Sequence, residues 1–328
     1  MENIFMFNIF KKKRKKSQSD SISYEERIDN HNPVQRALLG FAIGDALGVP
    51  YEFKANRNGH LCVDFDDPNE EYRGCWSDDT SMVLATMDAL CKYSPSDTQN
   101  DWLMESMDNY VNWLKNGEYT STGKAFGIGG TTARSLKRFM KNIPIDQTGD
   151  KDFRFNGNGA LMRLFPLAFY DSISDRSIES FVKLTHAHEF NIVCCKYYVM
   201  LLQFYIDMMR GKENVRNLKM ISQDREIISS INENEIPRTG FVYHSLLSAM
   251  YCLFTTSSYK EAVLKCVNMG GDTDTNAAIC GAVAGIKYGF NEENGIPLDW
   301  VIQIANAELL FDLSDSFADA VVQTQIGN

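Results

Sequence analysis

The sequence predicts an all-α protein, and three observations carry that reading. Apolar residues recur at the 3.6-residue helical spacing in about ten segments, while the alternating pattern of half-buried strands is scarce. Hydrophobic residues make up 44% of the 328-residue chain and charged residues 23%, a balance that buries a core and excludes disorder for most of its length. After residue 30 there is neither a low-complexity tract nor a fixed-period repeat.

Residues 1–30 read as an appendage: an apolar decapeptide, the basic run Lys11 to Lys16, then the polar stretch Ser17 to Ser21. Such a leader either stays a solvated tail or, through residues 1–16, makes weak contact with an anionic membrane surface. From there to residue 328 the chain is expected to form a single domain. Its first helix spans 34–47: Pro33 suits a first turn, Val34, Leu38, Leu39, Ala42 and Ala46 supply an apolar face, and Gly48 with Pro50 ends it. The same spacing predicts helices near 79–93, 99–115, 132–141, 160–170, 177–187, 190–210, 240–256, 259–268 and 275–288, and one more over 298–311. The stretches 54–75, 116–130 and 211–240 are left as loops.

Composition narrows the function. With 43 acidic residues against 33 basic ones, and six of the cations in the run at 11–16, a broadly basic nucleic-acid surface is excluded. The eight cysteines form no C-x-x-C pair and lie mostly in apolar context, so they are expected as reduced core thiols. The apolar start precedes the basic run, the reverse of a secretory signal, and the expected compartment is cytoplasmic. The apolar stretch from Ile192 to Met209 is interrupted by Lys196, Gln203 and Asp207, which favours a central buried helix over a membrane span.

Two sets of glycines recur every four residues: Gly40, Gly44 and Gly48, then Gly281, Gly285 and Gly289. Each makes a helix face without side chains that another helix can approach closely. If the two faces meet antiparallel, Glu52 comes to lie beside Asp272.

The chemistry concentrates in two acidic clusters, Trp76-Ser77-Asp78-Asp79-Thr80-Ser81-Met82 and Gly270-Gly271-Asp272-Thr273-Asp274-Thr275-Asn276, each at a helix start. Asp, Ser and Thr are good N-caps, so capping competes with any functional reading. Capping uses one side-chain oxygen, however, whereas each cluster offers two carboxylates and hydroxyls as well. Four carboxylates brought together repel unless cations neutralise them, and an all-oxygen shell without His or Cys suits a hard divalent metal. Nearly two hundred residues separate the clusters, so only folding can join them.

These motifs, with Gly40-Phe41-Ala42-Ile43-Gly44-Asp45-Ala46-Leu47-Gly48-Val49-Pro50-Tyr51-Glu52-Phe53, Gly157-Asn158-Gly159-Ala160-Leu161-Met162-Arg163 and Thr185-His186, resemble the ADP-ribosylglycohydrolase family in order and spacing over about residues 33–311. The resemblance implies a compact orthogonal helical bundle with a cleft for two divalent cations, Mg2+ or Mn2+. It implies that Ser77, Asp78, Asp79, Asp272, Asp274 and Thr275 are metal ligands; Ser77 stands where relatives often carry threonine and keeps the hydroxyl. It also implies catalysis involving Glu52, Asp78 and Asp274, with Glu52 near the scissile bond, and a place for His186 near ribose and phosphate. Asp45, inside the first helix, is read as structural.

The loops around Gly127 and Gly129 and around Gly157, Asn158 and Gly159 each precede a predicted helix, whose free N–H groups favour a diphosphate, although glycine before a helix is often only a turn. Neither has the Lys-Ser/Thr of a P-loop. His186 and His188, two apart, fall on different helix faces and cannot share a metal. The reaction so implied is hydrolysis at the anomeric carbon of the distal ribose in an ADP-ribosylated protein or small ADP-ribosyl conjugate, through an oxocarbenium-like transition state. Two other readings remain open: a non-catalytic ADP-ribose-binding module, and a two-metal phosphohydrolase acting on a related nucleotide.

Overall fold

The computed structural model describes residues 24–54, 61–65, 72–95, 100–212 and 215–326. Among them the chain forms α-helices joined by turns and short 3-10 segments, and its β pairing is confined to two isolated bridges, Asp150 with His186 and Gly157 with Phe241. In chain order the helices are α1 (Tyr24–Arg27), α2 (Pro33–Gly48), α3 (Asp78–Lys92), α4 (Asp101–Asn116), α5 (Gly130–Phe139), α6 (Asp175–Lys183), α7 (Glu189–Met209), α8 (Val215–Ser229), α9 (Val242–Phe254), α10 (Tyr259–Met269), α11 (Thr273–Tyr288), α12 (Leu298–Gln303) and α13 (Ala307–Ile326).

The centre of the molecule is the antiparallel pair α2 and α11. Both are apolar nearly all round, the pattern of a helix enclosed by others, and α11 is buried from Thr273 to Ile286. Their glycine faces do meet. A methyl group added at Gly40 would lie 2.4 Å from the Gly281 carbonyl oxygen, one at Gly44 2.3 Å from that of Ala277, and one at Gly48 2.3 Å from the Cα of Asp274. No side chain fits there, so the two backbones touch and the end of α2 is held against the start of α11. Thr273 Oγ1 fastens that end by donating to the Gly48 carbonyl at 2.8 Å. Gly289 acts differently, ending α11 at φ +65° and packing on Asn30 and Arg36.

Three expected elements differ. Over 160–170 there is no α-helix but a turn followed by a 3-10 segment, Phe165–Phe169; Pro166 lacks the N–H that an α-helix would use there. The helix expected over 298–311 is two, α12 and α13, separated where Asn306 takes φ +52° and the Ala305 N–H turns to the Gly74 carbonyl at 2.8 Å. Within the expected loop 211–240 lies α8, whose Val215, Leu218 and Ile227 are exposed while Ile221 is buried, so its apolar residues are spread around the helix.

α7 is long and apolar enough to cross a membrane by length and composition, and over half of its most apolar window is buried inside the protein. Tyr24 stacks on Phe311 of α13, and Arg27 pairs with Asp312 and Asp315, so residues 24–30 lie against the body of the protein. Residues 1–23, with the membrane contact expected of 1–16, are outside the described residues. All eight cysteines are free thiols, six of them buried.

Candidate active site

The α2–α11 contact brings Glu52 and Asp272 together, because the chain leaving α2 turns at once and the Phe53 N–H donates to the Gly271 carbonyl at 2.8 Å. From the other side comes the start of α3. Here the capping competition resolves by atoms. Ser77 is the N-cap, its Oγ accepting from the Asp79 N–H at 3.2 Å. Buried Asp45 accepts from the N–H groups of Ser77 and Thr80 at 3.0 Å and from the Thr80 hydroxyl at 2.7 Å. Two residues therefore satisfy the helix start, and the carboxylates of Asp78 and Asp79 are free of that duty. At the start of α11, Asp272 occupies the N-cap position without making a side-chain cap, and Asp274 accepts from the Thr275 N–H at 2.9 Å.

The two clusters meet across nearly two hundred residues: Thr275 Oγ1 donates to Asp79 Oδ2 at 3.2 Å, and Ser77 Oγ donates to the same oxygen at 3.1 Å. One oxygen each of Asp45, Asp79 and Asp274 lie within 4.8 Å of one another, and so do one oxygen each of Glu52, Asp272 and Asp274. Asp274 is common to both groups, so the oxygens form two adjoining nests. Asp78 is in neither trio, whereas Asp45 and Glu52, not expected as ligands, are.

Electrostatics sets the character of this pocket. Burial, followed by neighbouring like charges, holds Asp78, Asp79 and Asp274 well above the usual carboxylate range; burial also raises Asp45 and Asp272. Glu52, half-buried, is pushed up to about 7 by burial, then by Asp272 and Asp45, with Lys54 opposing. Asp79 Oδ1 is buried without a hydrogen-bond partner. Crowded carboxylates, an orphaned oxygen and two hydroxyls make a donor set suited to hard divalent cations.

Both glycine loops reach this pocket. Gly127, at φ +86°, lies so close to Asp78 that an added methyl group would be 2.3 Å from Oδ1. Gly129 is the exposed N-cap of α5, so that loop does open into a helix start. Asn158, expected against substrate, donates from Nδ2 to Asp272 Oδ2 at 2.8 Å and to Ser245 Oγ at 2.9 Å, and so fixes a carboxylate. The chain after Gly159 starts no α-helix, which removes the helix-terminus argument for a diphosphate at Gly157 and Gly159. His186 is buried beneath those two glycines rather than on a helix, and His188 is the N-cap of α7, its Nδ1 accepting from the Phe190 N–H. Gly240 was missed: a methyl group there would be 2.8 Å from Asp272 Oδ2, and nothing local in the sequence marks it. Arg163, which closes the Gly157–Arg163 motif, has no role in the sequence reading, although a lone arginine between Leu161-Met162 and Leu164-Phe165 is a signal that a buried charge has a purpose.

Comparison with known proteins places the chain in a family. The chain is 27% identical over 318 residues to an ADP-ribosylarginine hydrolase of Pseudomonas putida, covering 94% of this chain and 82% of that protein. It is 25% identical over 292 residues to the ADP-ribosyl-dinitrogen reductase glycohydrolase of Rhodospirillum rubrum, covering 84% and 90%. A solved structure described as an ADP-ribosylglycohydrolase-related protein complex superposes with a TM-score of 0.69 at 23% identity, covering 89% of this chain and 99% of that one, and shares the helical fold. The family profile of the ADP-ribosylglycohydrolases matches residues 26–326, and with nearly the whole chain so matched the protein belongs to the ADP-ribosylglycohydrolase family.

Proposed function

We propose that the protein removes ADP-ribose from arginine side chains of modified proteins, using two divalent cations, Mg2+ or Mn2+. The observation that carries this reading is the pair of adjoining oxygen nests sharing Asp274, with Glu52 a member of one. The arginine acceptor is taken from the activity of the Pseudomonas putida relative. Asp78, Asp79, Asp272 and Asp274, with the hydroxyls of Ser77 and Thr275, would hold the cations. Bound there, divalent cations supply positive charge for the ribose hydroxyls and acidify a water at neutral pH.

The remaining work falls to the chain. Asn158 and Gly240 fix the Asp272 carboxylate, and Gly127 leaves room for that of Asp78. Glu52, poised near neutrality and partly open to solvent, holds or accepts a proton at its carboxylate beside the scissile bond. Exposed backbone N–H groups at the Gly129–Gly130 helix start suit an anionic diphosphate. Free thiols throughout the fold suit a reducing compartment such as the cytoplasm.

The test is direct: incubate the protein and either metal with an arginine-linked ADP-ribosylated protein, and identify products by mass spectrometry. Release of intact ADP-ribose is expected. AMP would establish the phosphohydrolase instead, and tight binding without turnover a recognition module.

A further inference from the structure

Arg163 is fully buried, yet its partners are neutral: the Gly159 carbonyl at 2.5 Å, the Thr185 hydroxyl at 2.7 Å, and the rings of Tyr110 and Phe181, 5.1 and 5.4 Å from its guanidinium carbon. A buried cation without a bound carboxylate is costly and calls for a reason. The reason lies in the next residue along. The Thr185 hydroxyl is also 2.7 Å from Nδ1 of His186, and that imidazole sits under the Gly157–Gly159 loop, where a methyl group at Gly157 would lie 3.5 Å from Nε2 and one at Gly159 3.1 Å from Cε1.

The need of the buried Thr185 hydrogen for an acceptor points to one direction. A guanidinium only donates, so the Thr185 oxygen accepts from Arg163. Among the described residues the one acceptor recorded for the threonine hydrogen is Nδ1 of His186. An Nδ1 that accepts leaves the proton of a neutral imidazole on Nε2. Burial, with Arg163 and then Arg134 nearby, pushes His186 down to about 3, so the ring is neutral.

We propose that Thr185, oriented by Arg163, is a positioning residue that locks His186 in the Nε2–H tautomer and so presents a fixed hydrogen-bond donor to an anionic or hydroxyl oxygen of a nucleotide ligand at the Gly157–Gly159 loop. His186 then binds and orients; it moves no proton. The ligand half of this inference rests on the function proposed above, and the tautomer half does not.

Histidine-labelled protein separates the two. Long-range 1H–15N spectra of the unliganded wild type, with His186 assigned by the signal lost in His186→Gln, should show the Nε2–H pattern. Thr185→Val removes the hydroxyl and should shift the ring toward Nδ1–H or a mixture, and Thr185→Ser should restore the wild-type pattern. By calorimetry with ADP-ribose, Thr185→Val should weaken binding about tenfold, the loss of one hydrogen bond to a charged oxygen, while Thr185→Ser binds as wild type. An Nδ1–H or doubly protonated His186 in the wild type overturns the proposal, as does a Thr185→Val spectrum identical to wild type. A shifted tautomer with unchanged ADP-ribose affinity overturns the ligand half. Wild-type protein that shows the Nε2–H pattern and binds ADP-ribose but releases none from any conjugate overturns the proposed hydrolysis and upholds the lock.

Discussion

Asp45 and Asp274 are both buried aspartates in one acidic pocket, and what their oxygens do separates them. Asp45 answers three donors at the start of α3. Asp274 belongs to both oxygen nests and accepts one N–H. Opposite outcomes follow. Asp45→Ala strands the N–H groups of Ser77 and Thr80 and should cost about 2 kcal/mol in urea unfolding, near the upper end for a lost cap. Asp274→Asn removes a like charge from the crowd, so the metal-free variant should melt at a higher temperature than the wild type. Its kcat/KM should fall about a hundredfold or more, since even groups that only support metal ligands are worth about 10- to 100-fold. A variant that keeps wild-type turnover would remove Asp274 from the site. At this scale much was legible, because Asp-Asp and Asp-Thr-Asp at helix starts carry more carboxylates than capping can use. What could not be read was the division of labour: that Asn158 would hold Asp272, or that Asp45 would relieve Asp78 and Asp79 of capping, depends on atoms that meet only in the folded chain.

For the helices, the decisive contact is the bare one between α2 and α11. Gly44→Ala forces a methyl group against the Ala277 carbonyl, where both neighbours are backbone and neither can rotate away. Such overpacking typically costs about 1–3 kcal/mol, and the separation of α2 from α11 would also shift Glu52 away from Asp272. Denaturant melts and metal affinity should therefore fall together in Gly44→Ala; a loss of stability with unchanged metal affinity would mean that this crossing does not position the site. Glycines repeated every four residues made the crossing readable in advance. The errors have their own physics. Periodicity cannot register that Pro166 interrupts an otherwise apolar stretch, nor that the Gly74 carbonyl draws off the Ala305 N–H and breaks the last helix in two. The pattern is blind to α8, which shows much of its apolar surface to solvent.

Across the whole molecule, the acidic centre couples stability to pH and to cations. Asp45, Asp78, Asp79, Asp272, Asp274 and Glu52 all bind their protons more tightly in the folded chain than in the unfolded one, whose carboxyls titrate near pH ~4. Without metal, the stability they contribute is complete below about pH 4 and is lost as the pH rises through the folded values, about 7 for Glu52. Cations remove that penalty and bind better as the ligands ionise. The melting temperature of protein loaded with Mn2+ should thus exceed that of protein stripped with EDTA by a margin that widens from about pH 5 to about pH 8. Equal margins at both pH values would show that these carboxylates do not share bound cations.

The contact between Gly48 and Asp274 also governs when the enzyme can exist. Asp45, Glu52, Asp78 and Asp79 leave the ribosome nearly two hundred residues or more ahead of Asp272 and Asp274, and contacts of such long sequence range form late. Until α11 has emerged, the newly made α2 has no partner for its bare face, and no amino-terminal fragment can assemble both nests. The protein should therefore gain catalytic competence only once α11 has been made, and a product truncated before α11 would be inert rather than partly active.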